Sequence, residues 1–124
     1  MSTETQILSL PARSISRTAA AALIEAVRTA ADEIGFAVAT AVTDAGGHLK
    51  AFDRTDEAPF LAAEVAVDKA WTAVSFGIAT HVWNAYLTDH HLSPLGTHPR
   101  LMAVGGGYPI VENGQVIGGL DIPA

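Results

Sequence analysis

Two blocks of hairpin-forming sequence separated by helical stretches predict an α+β fold: a five-stranded, mostly antiparallel sheet with helices packed on it. Three observations carry this reading. Residues 15–34 place apolar side chains at helical spacing, residues 36–54 read as two strands around Asp44-Ala45-Gly46-Gly47, and residues 100–121 read as three short strands. A chain of 124 residues can bury one core without disulfides or a metal, so one domain over 1–124 is expected.

From Ile15 to Ile34, Ala19, Ala22, Leu23, Ala26, Val27, Ala30 and Ile34 share a side, while Arg17, Glu25, Arg28, Asp32 and Glu33 occupy the other. Ser14 or Ser16 supplies the N-cap and Gly35 the stop. Phe36 to Thr43 alternates strictly, with Phe36, Val38, Thr40 and Val42 on one face and alanines on the other. Asp44 to Gly47 turns the chain, His48 to Arg54 returns it, and Thr55 to Pro59 is a polar loop. Phe60 to Phe76 is a second helix, apolar on more sides and so more buried, ending at Gly77. Thr80 caps a third short helix through about Thr88, with Val82, Trp83, Tyr86 and Leu87 inward. Asp89 to Pro99 is a loop. Strands follow at Arg100–Val104, Tyr108–Glu112 and Gln115–Asp121, the last two joined by the hairpin dipeptide Asn113-Gly114. Gly105-Gly106-Gly107 opens onto no helix, so it reads as a bend where another backbone comes close rather than as a phosphate cradle.

Composition narrows the function. A formal charge of −6 disfavours nucleic acid, which needs a basic footprint. The absence of cysteine excludes disulfides, thiolate nucleophiles, iron–sulfur clusters and cysteine-type zinc sites, and suits a reducing compartment. Met1 to Gln6 lacks a basic leader, and charges interrupt every apolar window short of the ~20 residues a membrane span needs. A soluble cytoplasmic protein is expected. No serine sits in a Gly-x-Ser-x-Gly setting, so serine-hydrolase chemistry has no support.

A four-residue turn at 44–47 would pair Thr43 with His48, Ala41 with Lys50, Ala39 with Phe52 and Ala37 with Arg54. Small alanines would then leave room beside His48, Lys50 and Arg54, a cationic row suited to an anionic ligand; the alternative is a solvated outer face or subunit contact. Lys69 shares a helical stripe with Val65, Thr72 and Phe76. On so apolar a face it either snorkels, with Asp68 or Glu64 as a partner, or acts as a base or anion ligand. Of the five histidines, His90 and His91 are adjacent, which does not aim two imidazoles at one ion, and no His-x-x-x-His spacing exists. A haem iron needs only one or two axial ligands, which His48, His81, His90, His91 or His98 can supply.

Val42-Thr43-Asp44-Ala45-Gly46-Gly47-His48-Leu49, Lys69-Ala70-Trp71-Thr72-Ala73 with Phe76-Gly77 and Thr80, Gly106-Gly107-Tyr108-Pro109-Ile110 and Asn113-Gly114-Gln115-Val116-Ile117-Gly118 together resemble the GlcG/HbpS-like, or haem-degrading-domain, family. The resemblance implies a profilin-like layered fold, homo-oligomers and, as in some relatives, binding of haem or related tetrapyrroles. Relatives usually continue past the last strand into a Ser-Gly-Gly segment and another helix; this sequence stops at Leu120-Asp121-Ile122-Pro123-Ala124, so that tail is expected to be missing. The expectation is therefore a small-molecule-binding protein, with haem or another planar anionic ligand held by His48, Lys50, Arg54, Lys69 and Thr72. Trp71, Phe76, Trp83 or Tyr86 would form an apolar wall. A cofactor-independent isomerase, cyclase or hydratase using Lys69 and His48 to move protons is the alternative, and an oligomeric scaffold the third.

Overall fold

The computed structural model describes residues 8–122. Helix α1 (Arg17–Ile34) starts where the Ser16 hydroxyl accepts from the Ala19 N–H at 3.1 Å and stops at Gly35, whose φ of 75° no β-carbon hinders. Strands β1 (Ala39–Asp44) and β2 (Leu49–Arg54) form the first hairpin. Helix α2 (Phe60–Phe76), the short α3 (Val82–Tyr86) and a 3-10 turn (Ser93–Thr97) precede β3 (Gly107–Glu112) and β4 (Gln115–Asp121). The four strands make one antiparallel sheet in the order β2-β1-β4-β3.

Alternation along the central strand β1 explains the layering. Val42 points to α1 and joins Ile15, Ala20, Leu23, Ile24, Ile117 and Leu120, whereas Ala39 and Ala41 point to α2 and meet Ala66 and Ala70. Small side chains let α2 lie close on the sheet. At Gly119 even a methyl group would run into the Ala70 carbonyl. The proline Pro109 lies on β3, an edge strand, where its missing N–H costs no ladder bond.

Among the described residues the sheet has four strands, so the expected five-stranded, profilin-like sheet is corrected. Residues 100–104 form no strand because side chains of the helical layer satisfy their backbone. The Thr72 hydroxyl donates to the Arg100 carbonyl at 3.1 Å and accepts from the Met102 N–H at 2.9 Å, and Thr80 donates to the Val104 carbonyl. The hairpin register also differs, with Ala39 opposite Arg54, Ala41 opposite Phe52 and Thr43 opposite Leu49 across a bulge. Asp44 is the cause: its carboxylate accepts from the Gly46 and His48 N–H groups, both at 3.0 Å, and its own N–H donates to the His48 carbonyl at 2.8 Å. The loop is thereby tightened to Ala45–Gly47.

Candidate functional site

Helix α2 covers Ala39 and Ala41, so the alanine half of the expected ligand face is filled by this chain's own helix. What remains are two separate concavities, one on either side of that contact.

The first is a small cavity of about 160 Å³ with alanine and valine walls and only two polar residues, Lys69 and Asp121. Lys69 projects from the middle of α2; Asp121 ends β4, opposite Ala41 of β1 and Gly107 of β3. Their side chains are 10% and 3% exposed, and Nζ lies 3.0 Å from Oδ1. Nζ donates to the Gly105 carbonyl at 3.1 Å. Its approach to Asp121 is close but out of line for a hydrogen bond, and Oδ1 has no other donor among the described residues. Burial pushes the Asp121 carboxyl up to about 7, with the Lys69 ammonium pulling the other way. Gly106, at φ 120°, makes the pair possible, since a β-carbon there would sit 2.7 Å from Nζ.

The second is an open, largely apolar groove of about 510 Å³ between Leu49 and Phe52 of β2 and Ala63, Glu64, Val67 and Asp68 of α2, closed at one end by Arg100. The Arg100 Nε donates to Asp68 at 3.0 Å, and its guanidinium lies 4.5 Å from the Trp71 ring centre. His98 stacks on the same indole at 5.4 Å, and the Arg100 N–H donates to its Nδ1 at 3.1 Å. Gly47 packs against Trp71, where a β-carbon would come within 2.9 Å. His48 stands next to it, 82% exposed, with Nδ1 3.4 Å from the Asp44 carboxylate. Burial alone would raise the Asp44 carboxyl, but the His48 and Gly46 N–H groups and the neighbouring imidazole outweigh it and hold it below its ordinary value.

The other predicted residues do not gather here. Arg54 donates to the Ala58 carbonyl at 3.3 Å and lines a distinct polar cavity with Arg28, Asp32 and Glu57. Lys50 is exposed at the bulge. Thr72 is committed to residues 100 and 102. Trp83 is a core residue under Phe76 and Tyr86, near the far end of α2. His81 sits beside Tyr108. His90 and His91 do converge, contrary to expectation, because the turn after α3 tilts their rings to 4.0 Å between centres. Ligand atoms of Asp89 and both histidines lie within 4.8 Å of one another, and all three residues are exposed.

Residues 15–122 match the family described as "Haem degrading protein HbpS-like". The chain belongs to this family. It is 32% identical to protein GlcG of Escherichia coli K12 over 108 residues, 87% of this chain and 80% of the relative. Its fold is similar to that of the Klebsiella pneumoniae protein ORFY, with a TM-score of 0.86 at 30% identity over 95% of this chain and 83% of that one. It is also similar to PduOC, solved as a complex with haem, with a TM-score of 0.77 at 27% identity over 87% and 80% of the two chains. No helix among the described residues of this HbpS-like protein is long and apolar enough to cross a membrane.

Sequence reasoning missed Asp121 as the partner of Lys69; it offered Asp68 or Glu64, near neighbours on the helix, only for the alternative in which Lys69 snorkels at the helix edge. Asp68 instead holds Arg100. A signal existed: Gly119 and Asp121 share a strand face with glycine at the first position, so a carboxylate at the second had to end under a helix.

Proposed function

We propose that this HbpS-like protein binds a planar anionic small molecule, haem or a related tetrapyrrole, in the groove between β2 and α2. The observation that carries the reading is the haem complex of PduOC, a relative with the same fold. The groove suits such a ligand, with apolar walls at Leu49, Phe52 and Val67 and a cation, Arg100, backed by the Trp71 ring. The Nη groups of Arg100 make no hydrogen bond among the described residues and are available to a carboxylate. Lys50 adds an exposed cation next to Leu49.

His48 is the histidine best arranged to ligate iron. The Asp44 carboxylate beside Nδ1 favours the tautomer that leaves the Nε2 lone pair free. His98 is arranged the other way: Nδ1 accepts the Arg100 N–H, which puts the proton on Nε2. Hemin titration is expected to give a saturable Soret shift that His48→Ala weakens at least about tenfold and His98→Ala preserves. A spectrum unmoved by the protein overturns the haem reading, and a His48→Ala titration equal to wild type overturns the ligand assignment. We further infer a cytoplasmic homo-oligomer without nucleic-acid contacts, supported by the charge of −6, the cysteine-free composition and exposed apolar side chains such as Phe60 and Phe76. Cell fractionation and light scattering check this, and a membrane-associated or monomeric protein would count against it.

A further inference from the structure

The Lys69–Asp121 cavity shares no lining residue with the groove, so the tetrapyrrole reading leaves it unused. A buried ion pair is a poor investment for stability, because desolvating two charges offsets most of their attraction. This pair also stops short of satisfying itself. Asp121 lines the cavity, its buried Oδ1 has no aligned donor among the described residues, and the ammonium has three N–H groups of which Gly105 takes one.

We propose that Lys69 and Asp121 form a cofactor-independent proton-transfer site for a small, neutral, enolisable carbonyl compound. Each part of that description follows from the cavity. Its volume of about 160 Å³ admits roughly five or six non-hydrogen atoms at ~30 Å³ each. Its walls, Ala37, Val38, Ala39, Ala62, Val65 and Ala66, offer nothing polar from their side chains, so the ligand has an apolar body and one polar end. Asp121 already balances the charge of Lys69, which disfavours an anion and suits a neutral molecule. A carbonyl oxygen accepts from Lys69 while the adjacent carbon–hydrogen bond lies beside Asp121.

The step balances without a co-reactant. The α-C–H bond breaks and its proton goes to the Asp121 carboxylate. The released electron pair forms the C=C bond, and the carbonyl π pair moves to oxygen, which takes a proton from the Lys69 ammonium. Asp121 then returns its proton to Lys69, 3.0 Å away, and the enol departs. A carboxyl that loses its proton near neutral pH is well matched to such a base.

Butanone, a ketone of matching size, is the probe, and exchange of its α-hydrogens in D2O is followed by proton NMR. The wild-type protein is expected to exchange them on the order of 100-fold faster than Asp121→Asn or Lys69→Met. Ala62→Leu fills the cavity without touching the pair and is expected to reduce exchange to the buffer rate. Where Asp121→Asn does not fold, Ala62→Leu decides alone, its fold checked by circular dichroism. Wild-type exchange at the buffer rate overturns the proposal. So does exchange that survives in a folded Ala62→Leu protein, since that rate would come from surface amines.

Discussion

Asp121 and Lys69 show how two side chains that look unremarkable apart acquire character together. The Asp121 carboxyl rises from 3.8 to about 7 because burial disfavours its charged form more than Lys69 rewards it. Lys69 faces it from α2, whereas β1 and β3 set Ala41 and Gly107 opposite it. Between those two pH values the folded chain holds a proton that the unfolded chain has released. This contribution to stability is complete below about pH 4 and is lost as the pH rises through 7. Denaturation across that range is expected to show a decline on the order of 4 kcal/mol that Asp121→Asn flattens; identical pH profiles for the two proteins would refute it. The lysine was visible in the sequence because it interrupts an alanine-rich face. The aspartate was missed, because its one cue, Gly119 two residues earlier on the same strand face, gains meaning only once a helix is known to cover that face.

Helices α1 and α2, both hairpins and the stop glycines at 35 and 77 were legible, since periodicity and capping are local signals. Segment 100–104 was not. Its apolar residues read as a strand, yet its hydrogen bonds go to Thr72 and Thr80, 28 and 24 residues distant for the pairs with Arg100 and Val104. A hydroxyl that both donates and accepts can replace a stretch of ladder, and no residue-by-residue preference reveals that. Thr72→Val keeps the shape and removes both bonds. Its expected cost is about 2 kcal/mol in chemical denaturation, with hydrogen exchange at Met102 rising while the β1–β4 amides keep their protection. Loss of protection throughout the sheet would instead make Thr72 a global core residue. The hairpin register failed for a related reason: Asp44 binds its own turn through four hydrogen bonds, and that local chemistry outweighs the simpler loop count.

The three layers, helix on sheet on helix, place both concavities where α2 parts from the sheet, one along β2 and one at the ends of β1 and β4. Where one ligand face was expected there are two concavities of different chemistry, an open, largely apolar groove with Arg100 in its lining and a smaller one holding the charge-balanced Lys69–Asp121 pair. Phe60 and Phe76, 75% and 67% exposed at the two ends of α2, are the apolar surface that association of copies would cover. Light scattering is expected to give a mass at least twice that of one chain, and Phe60→Ser to shift it toward the monomer; a wild-type monomer rules this out. The strand order decides which way such an assembly grows. One outer strand carries Pro109 and the other begins at a bulge beside a lysine, so neither margin offers a clean row of donors and acceptors to a neighbour. Any association of copies would therefore run through helices and loops, since neither sheet margin favours a runaway ribbon of sheet joined to sheet.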